Sequence, residues 1–459
     1  MLNKPSPRTL RSGWLLLTTL FASSVCWSST LRAAVAKVDI TPAPGAHLWG
    51  YSNRQSPATG TLDSLFARVL ILEAGKQSLA LVDVDLGRPF GPASLQWLRN
   101  ATQKDVSLLI LAATHTHSGP IVQDDYPFGK PAWETAALQK IAQAVSEAHQ
   151  KLVDVQIGIG YGVTFIGHNR LRVNSDGSVS WFERNLTELP TAPVDGTVSV
   201  LRIDKTDGQS LAILVNYACH PVIFGSDNLQ YSADFPGAMA RTVEEAFASK
   251  EAFASKPLCF FLQGAPGDIN PYDAVSPVEQ DAIEMRDHTG SKLGLEAALI
   301  AEGIHTKPER DADLQFAEDL VNVRMRWDPE KWREAMIAVF GATGSETFSP
   351  KLDDIQLPVT TILINRRIAI LCMPGEPFVE YQITWRQRSP VHDALLVGYA
   401  NAYNGYFPTI RSATLGGYGA GNPATWVEVG AGDRMIDTGV TRINWMLGGL
   451  HELPEDFAK

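Results

Sequence analysis

Two histidines lie two residues apart at the end of an apolar run, LLILAATHTHSGP at 108–120. The chain has only 10 histidines in 459 residues, so a pair at this spacing is a candidate for chemistry. On a β-strand, residues two apart point to the same side, and His115 and His117 would then offer two imidazoles to one site. A hydrogen-bonded histidine pair in a loop would show the same spacing, and the pair alone leaves both interpretations open.

Further residues with suitable side chains follow other apolar runs. His220 lies in ACHP, Glu376 lies in the tight turn PGEP, and Tyr403 and Tyr406 lie in ANAYNGY. Two or three imidazoles with a carboxylate suit Zn²⁺ and leave a coordination position for water. Taken singly, a carboxylate at a helix start is explained by the helix dipole, and a tyrosine by packing. Their joint occurrence is what predicts a zinc site.

The elements that must position these residues share one pattern, an apolar run followed by a break rich in glycine, proline and polar residues. Five runs have the length of a buried strand: SLLILAA, LAILVNYA, LCFFL, RIAILC and ALLVGYA. Helical patterns lie between several of them, in WETAALQKIAQAVSEAHQK, PGAMARTVEEAFASK and PFVEYQITWRQRS. Residues 194–218 indicate a hairpin that turns at KTDGQS, so strand directions are mixed.

The sequence therefore predicts an α/β fold of mixed β-sheets flanked by helices, with the metal site at the strand ends. In open α/β sheets, ligands bind beyond the carboxyl ends of the strands. We expect the five strand ends that carry unusual polar residues to converge on one edge and build the site there.

Composition limits the class of protein. Hydrophobic residues make up 45% of the chain and charged residues 19%, which is typical of a globular protein with a sizeable core. The net charge of −11 argues against nucleic acid as a partner, since phosphate contacts need a basic surface. Cys219, Cys259 and Cys372 are scattered in apolar segments, so we interpret them as small buried hydrophobes rather than a disulfide framework.

The N-terminus has the features of a secretory signal. Lys4, Arg8 and Arg11 precede a short apolar core, WLLLTTLFASSV at 14–25, and small residues follow. We predict a signal peptide over about residues 1–32 and a secreted or periplasmic location. The apolar run is shorter than the ~20 residues that span a bilayer.

Eight short segments, in this order, resemble the neutral/alkaline, non-lysosomal ceramidase family. They are VDITPAPGAHLWGY, ATHTHSGP, GHNR, ACHP, SADFPG, GDINP, MPGEP and NGYFPT. The resemblance extends from about residue 34 to the C-terminus. We expect 33–459 to form a ceramidase-like catalytic domain, without the C-terminal immunoglobulin-like domain of full-length family members.

The resemblance implies a zinc-dependent amidohydrolase that cleaves the N-acyl bond of ceramide. It implies four zinc ligands: His115, His220, Glu376 and Tyr406. The substrate would be a lipid or another N-acyl amide, and peripheral membrane contact is compatible with that. The sequence leaves the oligomeric state and the acyl-chain preference open.

The resemblance also implies catalytic residues around the zinc site. His117 matches a histidine beside the substrate, Arg170 matches an active-site arginine, and Tyr418 is matched more loosely to a second active-site tyrosine. His117 is our first candidate for the acid that protonates the leaving amine. Asp268 is a candidate to orient a ligand, although a turn-capping role explains it as well.

One position departs from the family pattern. The family's hexapeptide is Gly-Asp-Val-Ser-Pro-Asn, whereas this chain has GDINPY at 267–272, with Asn270 in place of the serine. Asparagine cannot serve as an alkoxide nucleophile. We therefore favour attack by a metal-activated water. The change also leaves open a different amide or ester substrate, or a catalytically inactive zinc- or lipid-binding homologue.

Two other hydrolase folds also place His-x-His at a strand end. A metallo-β-lactamase fold requires His-x-His-x-Asp-His, but Ser118 and Pro120 follow His117 here. An amidohydrolase barrel needs eight regular βα units, which the sequence does not show.

Overall fold

The computed structural model describes residues 29–126, 129–249, 256–309, 311–345 and 355–450. Its strands are β1 (Leu31–Asp39), β2 (Gly60–Thr61), β3 (Phe66–Ala74), β4 (Gln77–Val84), β5 (Leu108–Ala113), β6 (Val153–Val163), β7 (Gly167–Asn169), β8 (Leu171–Val173), β9 (Val179–Trp181), β10 (Thr197–Lys205), β11 (Ser210–Tyr217), β12 (Gln230–Tyr231), β13 (Leu258–Gln263), β14 (Ile269–Pro271), β15 (Leu314–Val323), β16 (Ile355–Ile364), β17 (Ile368–Cys372), β18 (Glu376–Pro377), β19 (Asp393–Val397) and β20 (Tyr406–Phe407). Its helices are α1 (Pro92–Thr102), α2 (Ala132–His149), α3 (Asp234–Ala248), α4 (Ala282–Gly303), α5 (Pro329–Ser345), α6 (Val379–Arg388), α7 (Ile410–Leu415) and α8 (Ala431–Met446).

Two mixed sheets form the centre of the fold. The larger has eight strands in the order β13-β11-β10-β6-β1-β3-β4-β5, and the smaller has four in the order β15-β16-β17-β19. The pairs β4–β5, β11–β13 and β17–β19 are parallel, while the remaining pairs within these two sheets are antiparallel. The predicted mixed α/β fold is confirmed.

The strands read as continuous apolar runs because both faces of the large sheet are covered. In β11, Ala212 and Leu214 pack in a core shared with the smaller sheet, which contributes Ile370 among others. Ile213 and Val215, on the opposite face, pack in a core with α3 and α4. Strands buried on two sides lose the alternation of polar and apolar residues that marks a half-exposed strand.

The five predicted strands are all present, but they belong to two sheets. β5, β11 and β13 lie in the large sheet, whereas β17 and β19 lie in the small one. The expectation that they end at one sheet edge is wrong. Their ends meet because the sheets pack face to face and because Gly398, just after β19, donates its N–H to the Gln263 carbonyl at the end of β13, 2.9 Å away.

The three predicted helices and the predicted hairpin are confirmed as α2, α3, α6 and the antiparallel pair β10–β11. The predicted signal peptide lies largely outside the described residues, and β1 begins at Leu31. Among the described residues, no helix is both long enough and apolar enough to cross a membrane.

The packing of α3 against α4 predicts a position-specific stability effect. A β-carbon at Gly290 would lie 2.8 Å from both Met239 N and Phe235 O, so Gly290→Ala forces the helices apart. We expect a loss of about 1–3 kcal/mol in the free energy of unfolding, measured by chemical denaturation. Gly303→Ala, in the same helix, is the control because its β-carbon would meet nothing within 4 Å. An equal loss in both variants would contradict this account of the packing.

Candidate metal centre

The two histidines of THTH lie in the turn after β5 rather than on the strand. β5 ends at Ala113, and His115 has a φ of 71°, in the left-handed region that non-glycine residues rarely adopt. The His115 N–H donates to the Leu86 carbonyl at 2.9 Å, which holds this turn. The Nε2 atoms of His115 and His117 are 3.2 Å apart. The two imidazoles do meet, but a turn brings them together, not the alternation of a strand.

His220 completes a group of three imidazoles. It follows β11, and the candidate ligand atoms of His115, His117 and His220 all lie within 4.8 Å of one another. The His220 Nδ1 is 2.7 Å from the Pro266 carbonyl oxygen, in the segment that leads into β14. The ring is therefore fixed by backbone from a strand end other than its own.

Glu376 adds a carboxylate to the three imidazoles. The two-residue parallel ladder β18–β20 sets Glu376 opposite Tyr406. Glu376 Oε2 lies 3.0 Å from His220 Nε2 and 3.6 Å from His115 Nε2. The Tyr403 hydroxyl donates to the other oxygen, Oε1, at 2.5 Å. The carboxylate is thus held by one oxygen and presents the other to the imidazoles.

Burial sets the charge of the histidines. It lowers the pKa of His115 to about 3 and also lowers the pKa of His117 and of His220. Burial on its own would raise the pKa of Glu376. A proton on His115 or His220 would lower this pKa, and the hydrogen bond from the Tyr403 hydroxyl favours the carboxylate as well. Neutral imidazoles and an ionised carboxylate are the protonation states that bind metal ions.

The hydrogen bonds of the rings leave lone pairs facing one another. A carbonyl oxygen can only accept, so the Nδ1 atoms of His115 and His220, bound to the Gly87 and Pro266 carbonyls, carry the hydrogens. Their Nε2 atoms then have lone pairs aimed at the Glu376 carboxylate. Acceptors this close need a cation or an additional proton between them. Neighbouring donors in a tetrahedral zinc site with bonds of 2.0–2.1 Å lie about 3.3 Å apart, which matches these distances.

His117 differs from the other two histidines. Its Nδ1 is buried and has no hydrogen-bond partner within the described part of the chain. Histidines that bind metal nearly always donate their other ring nitrogen to a carbonyl or carboxylate, as His115 and His220 do here. His117 is held instead by packing: its ring meets Tyr51 edge to face at 5.1 Å, and Gly50 has no side chain, where a β-carbon would overlap the ring.

Arg170 lies beside the imidazole group. Its guanidinium donates to the Tyr406 hydroxyl at 3.0 Å, to the Gly267 carbonyl at 2.8 Å and to Asn270 Oδ1 at 3.0 Å. Burial and the charge of Glu376 raise the pKa of Tyr406 well above its usual value. The structure thus places a permanent positive charge at the hydroxyl of a predicted ligand.

Asn270 and Asp268 hold the Arg170 segment in place. Asn270 accepts from Arg170 and donates through Nδ2 to the Glu183 carbonyl at 3.1 Å. Asp268 accepts through its side chain from Asn169 at 2.6 Å and from the Val379 N–H at 2.8 Å. Its backbone carbonyl accepts the Arg170 N–H at 2.8 Å. These contacts fix the Arg170 segment, and the prediction that Asp268 orients a metal ligand stays a prediction.

Tyr418 stands at the edge of this group. Its ring packs against Tyr406 at 5.5 Å and against Trp181 at 5.3 Å, and the Arg170 guanidinium lies over all three rings. The side chain is 39% exposed, so it faces both the site and solvent.

The sequence analysis named Tyr403 without giving it a role, and it missed Tyr399. Tyr403 bonds Glu376, as described, and Tyr399 stacks on the His115 ring at 4.0 Å. Tyr403 was singled out with Tyr406 in the ANAYNGY segment, but its contact with Glu376 was not predicted. Nothing in the sequence distinguishes Tyr399 from the ordinary continuation of an apolar strand.

Comparisons with known proteins agree on one family. The family model described as neutral/alkaline non-lysosomal ceramidase, N-terminal, matches residues 32–303. The chain is 25% identical over 254 residues to the neutral ceramidase of Pseudomonas aeruginosa, a match that covers 52% of this chain and 37% of that protein. The chain thus spans little more than a third of this curated relative.

Two solved structures have a similar fold. A ceramidase complexed with C2 superposes with a TM-score of 0.72 at 18% identity, over 93% of this chain and 76% of that one. The crystal structure of the neutral ceramidase from Pseudomonas aeruginosa gives a TM-score of 0.69 at 17% identity, over 91% and 75% of the two chains.

The Tyr403 contact predicts an effect on metal affinity. Tyr403→Phe removes the hydroxyl that fixes Glu376 Oε1, so zinc should bind about 10–100-fold more weakly, measured by competition with a chelator dye. Tyr161→Phe is the control, because its hydroxyl bonds the distant Asp393. Unchanged zinc affinity in Tyr403→Phe would show that the hydroxyl does not position the carboxylate.

Proposed function

The chain belongs to the neutral/alkaline non-lysosomal ceramidase family, and on that premise we propose that it is a zinc-dependent hydrolase of ceramide or a related lipid amide. Water would cleave the N-acyl bond and release a fatty acid and a sphingoid base or another amine. The observation that carries the proposal is the convergence of the His115 and His220 Nε2 atoms on Glu376 Oε2, at 3.6 and 3.0 Å.

The proposed metal is zinc, held by His115, His220, Glu376 and Tyr406. Nitrogen ligands with a single carboxylate favour zinc over calcium or magnesium, which prefer all-oxygen sites. Bound there, zinc would supply the acidity that makes water a nucleophile near neutral pH and would polarise the amide carbonyl.

Arg170 and Tyr418 are proposed to stabilise the charge that develops on the amide oxygen. The guanidinium is already oriented by the Gly267 carbonyl and Asn270, so it needs little rearrangement during the reaction. Tyr418 adds a hydroxyl at the open side of the site. Asp268 contributes indirectly, because its carbonyl fixes the backbone of Arg170.

His117 is proposed to move the proton. Its neutral ring can take a proton from the attacking water and return it to the nitrogen of the leaving amine, which completes the exchange of an amide and water for an acid and an amine. Its free Nδ1 supports this role, since no carbonyl fixes the tautomer of this ring as it does for the other two.

Asn270 supports attack by water rather than by a side chain. Both ends of its amide are engaged, with Arg170 and with the Glu183 carbonyl. Asn270 therefore positions Arg170, and hydrolysis by water needs no serine at this position. An inactive lipid-binding homologue remains the second candidate, and Asn270 is the observation that favours it.

The lipid substrate and the location complete the proposal. A two-chain amide resides in membranes, so we propose peripheral contact with a lipid surface and export by the N-terminal segment of residues 1–32. Both follow from the sequence and from the proposed chemistry.

The first prediction of the proposal concerns products. The purified protein with zinc should release fatty acid from ceramide or from another N-acyl amide in a panel, detected by mass spectrometry. His115→Ala should lose both zinc and turnover, whereas His392→Ala, whose side chain is 91% exposed, should keep both. Asn270→Ser should retain zinc.

Three outcomes have different meanings. Activity on a different amide would keep the chemistry and change the substrate. Full activity in His115→Ala would refute the ligand assignment. A zinc-loaded protein that is silent across the panel would favour the binding-protein alternative.

Arg170 gives a second prediction. Arg170→Met removes the proposed donor to the amide oxygen and should lower kcat by about 10²–10³-fold with a smaller change in KM. Arg172→Met is the control, since Arg172 is exposed and its guanidinium lies over the Phe182 ring at 5.9 Å. A change confined to KM would indicate that Arg170 binds the substrate instead.

A further inference from the structure

The β8–β9 hairpin has one apolar face. The ladder pairs Leu171 with Trp181 and Val173 with Val179. Directly paired residues lie on the same face of a sheet, and so do residues two apart on one strand. All four apolar side chains therefore lie on one side, and Arg172 and Ser180 lie on the other. Val173 is 48% exposed and Trp181 46% exposed, so this face is only partly covered.

A cleft lies between this face and α7. Its volume is about 200 Å³, and it is lined by Leu171, Val173 and Val179 of the hairpin, by Pro193 and by Leu415 of α7, with Arg411 and Glu380 among the polar residues. The apolar walls stand open to solvent, since Leu415 is 36% exposed. A cleft of this volume with apolar walls suits a hydrocarbon chain.

The same hairpin face reaches the candidate metal centre. Trp181 lies under the Arg170 guanidinium at 5.0 Å and against Tyr418 at 5.3 Å. Leu171, which pairs with Trp181 in the ladder, lines the cleft. Leu171 also packs against the cluster that contains Tyr406. From Leu171 to Val173 the strand advances about 7 Å. Leu171 thus borders both the tyrosine cluster beside Arg170 and the cleft.

We infer that the cleft between the β8–β9 hairpin and α7 binds the acyl chain of the substrate and sets the preference for acyl length. The inference rests on the proposed function. The acyl carbons next to the amide carbonyl carry no polar group, and so they suit Trp181 and Leu171. The amine side of ceramide carries hydroxyls, which this apolar face would leave without hydrogen bonds at a cost in binding.

The experiment compares acyl lengths on one amine. Values of kcat/KM are measured for the acetyl, octanoyl and palmitoyl amides of the same sphingoid amine. Leu415→Asp puts a charge in the cleft, and Val173→Trp fills it from the other wall. Both should lower kcat/KM for the palmitoyl amide by about ten- to a hundredfold and leave the acetyl amide within about threefold, because each buried methylene lost weakens binding by about fourfold.

Leu299→Asp, on α4, is the matched control, because Leu299 is 65% exposed and does not line the cleft. It should leave all three amides unchanged. Equal losses for all three acyl lengths in the cleft variants, or no loss for the palmitoyl amide, would overturn the inference while the hydrolase proposal stands.

A binding measurement separates this inference from the proposed function. The protein is photolabelled with palmitic acid that carries a diazirine, and labelled peptides are mapped by mass spectrometry. Labelling of residues 171–181 or 410–418 would support the acyl-chain cleft even if no amide is hydrolysed. This labelling should disappear with excess palmitate and in Leu415→Asp. Labelling of other residues, together with values of kcat/KM that do not depend on acyl length, would overturn the inference.

Discussion

The site depends on a buried carboxylate that its neighbours do not neutralise. Glu376 is 1% exposed, and burying an ionised carboxylate costs several kcal/mol unless charges or donors compensate. Tyr403 supplies one hydrogen bond. The two imidazoles nearest the other oxygen donate their hydrogens to backbone carbonyls and therefore face it with lone pairs. Only a cation or additional protons satisfy this arrangement, and burial opposes protonation of the rings. The three buried histidines beside this carboxylate could therefore hold a metal ion.

The packing of two sheets makes that arrangement possible. Strand ends of the large sheet carry the imidazoles, whereas the strand ends of the small sheet lead into the segments with Glu376 and Tyr406. The short ladder β7–β14 joins loops of the large sheet, and β18–β20 joins loops of the small sheet. The Gly267 N–H donates to the Pro377 carbonyl at 2.8 Å and links the two sets. Because His115, His220 and Glu376 are each hydrogen-bonded to a segment other than their own, we expect the site to keep its geometry only while both sheets are docked.

The sequence revealed the strands but not their partners. β5, β11, β13, β17 and β19 were each recognisable, because buried strands are continuous apolar runs. Their division between two sheets is set by long-range pairing, which apolar runs do not encode. His115 and His117 were found by spacing, but the left-handed turn at His115 was not, since nothing in Thr-His-Thr-His requires it. The contact of Tyr403 with Glu376 and the stacking of Tyr399 on His115 arise only from tertiary packing. Glu376 and Tyr406 were ranked above other residues by family resemblance, not by periodicity.

Asn270 is the clearest case in which the structure changes how a residue is interpreted. From the sequence, an asparagine at a serine position suggests lost chemistry. In the structure its carbonyl oxygen accepts from Arg170 while its amide nitrogen donates to the Glu183 carbonyl. A serine hydroxyl is shorter and has a single hydrogen to donate, so it could not span both partners in the same way. The asparagine therefore strengthens the position of the arginine, and the departure is consistent with a site whose nucleophile is water and whose side chains act by orienting charge.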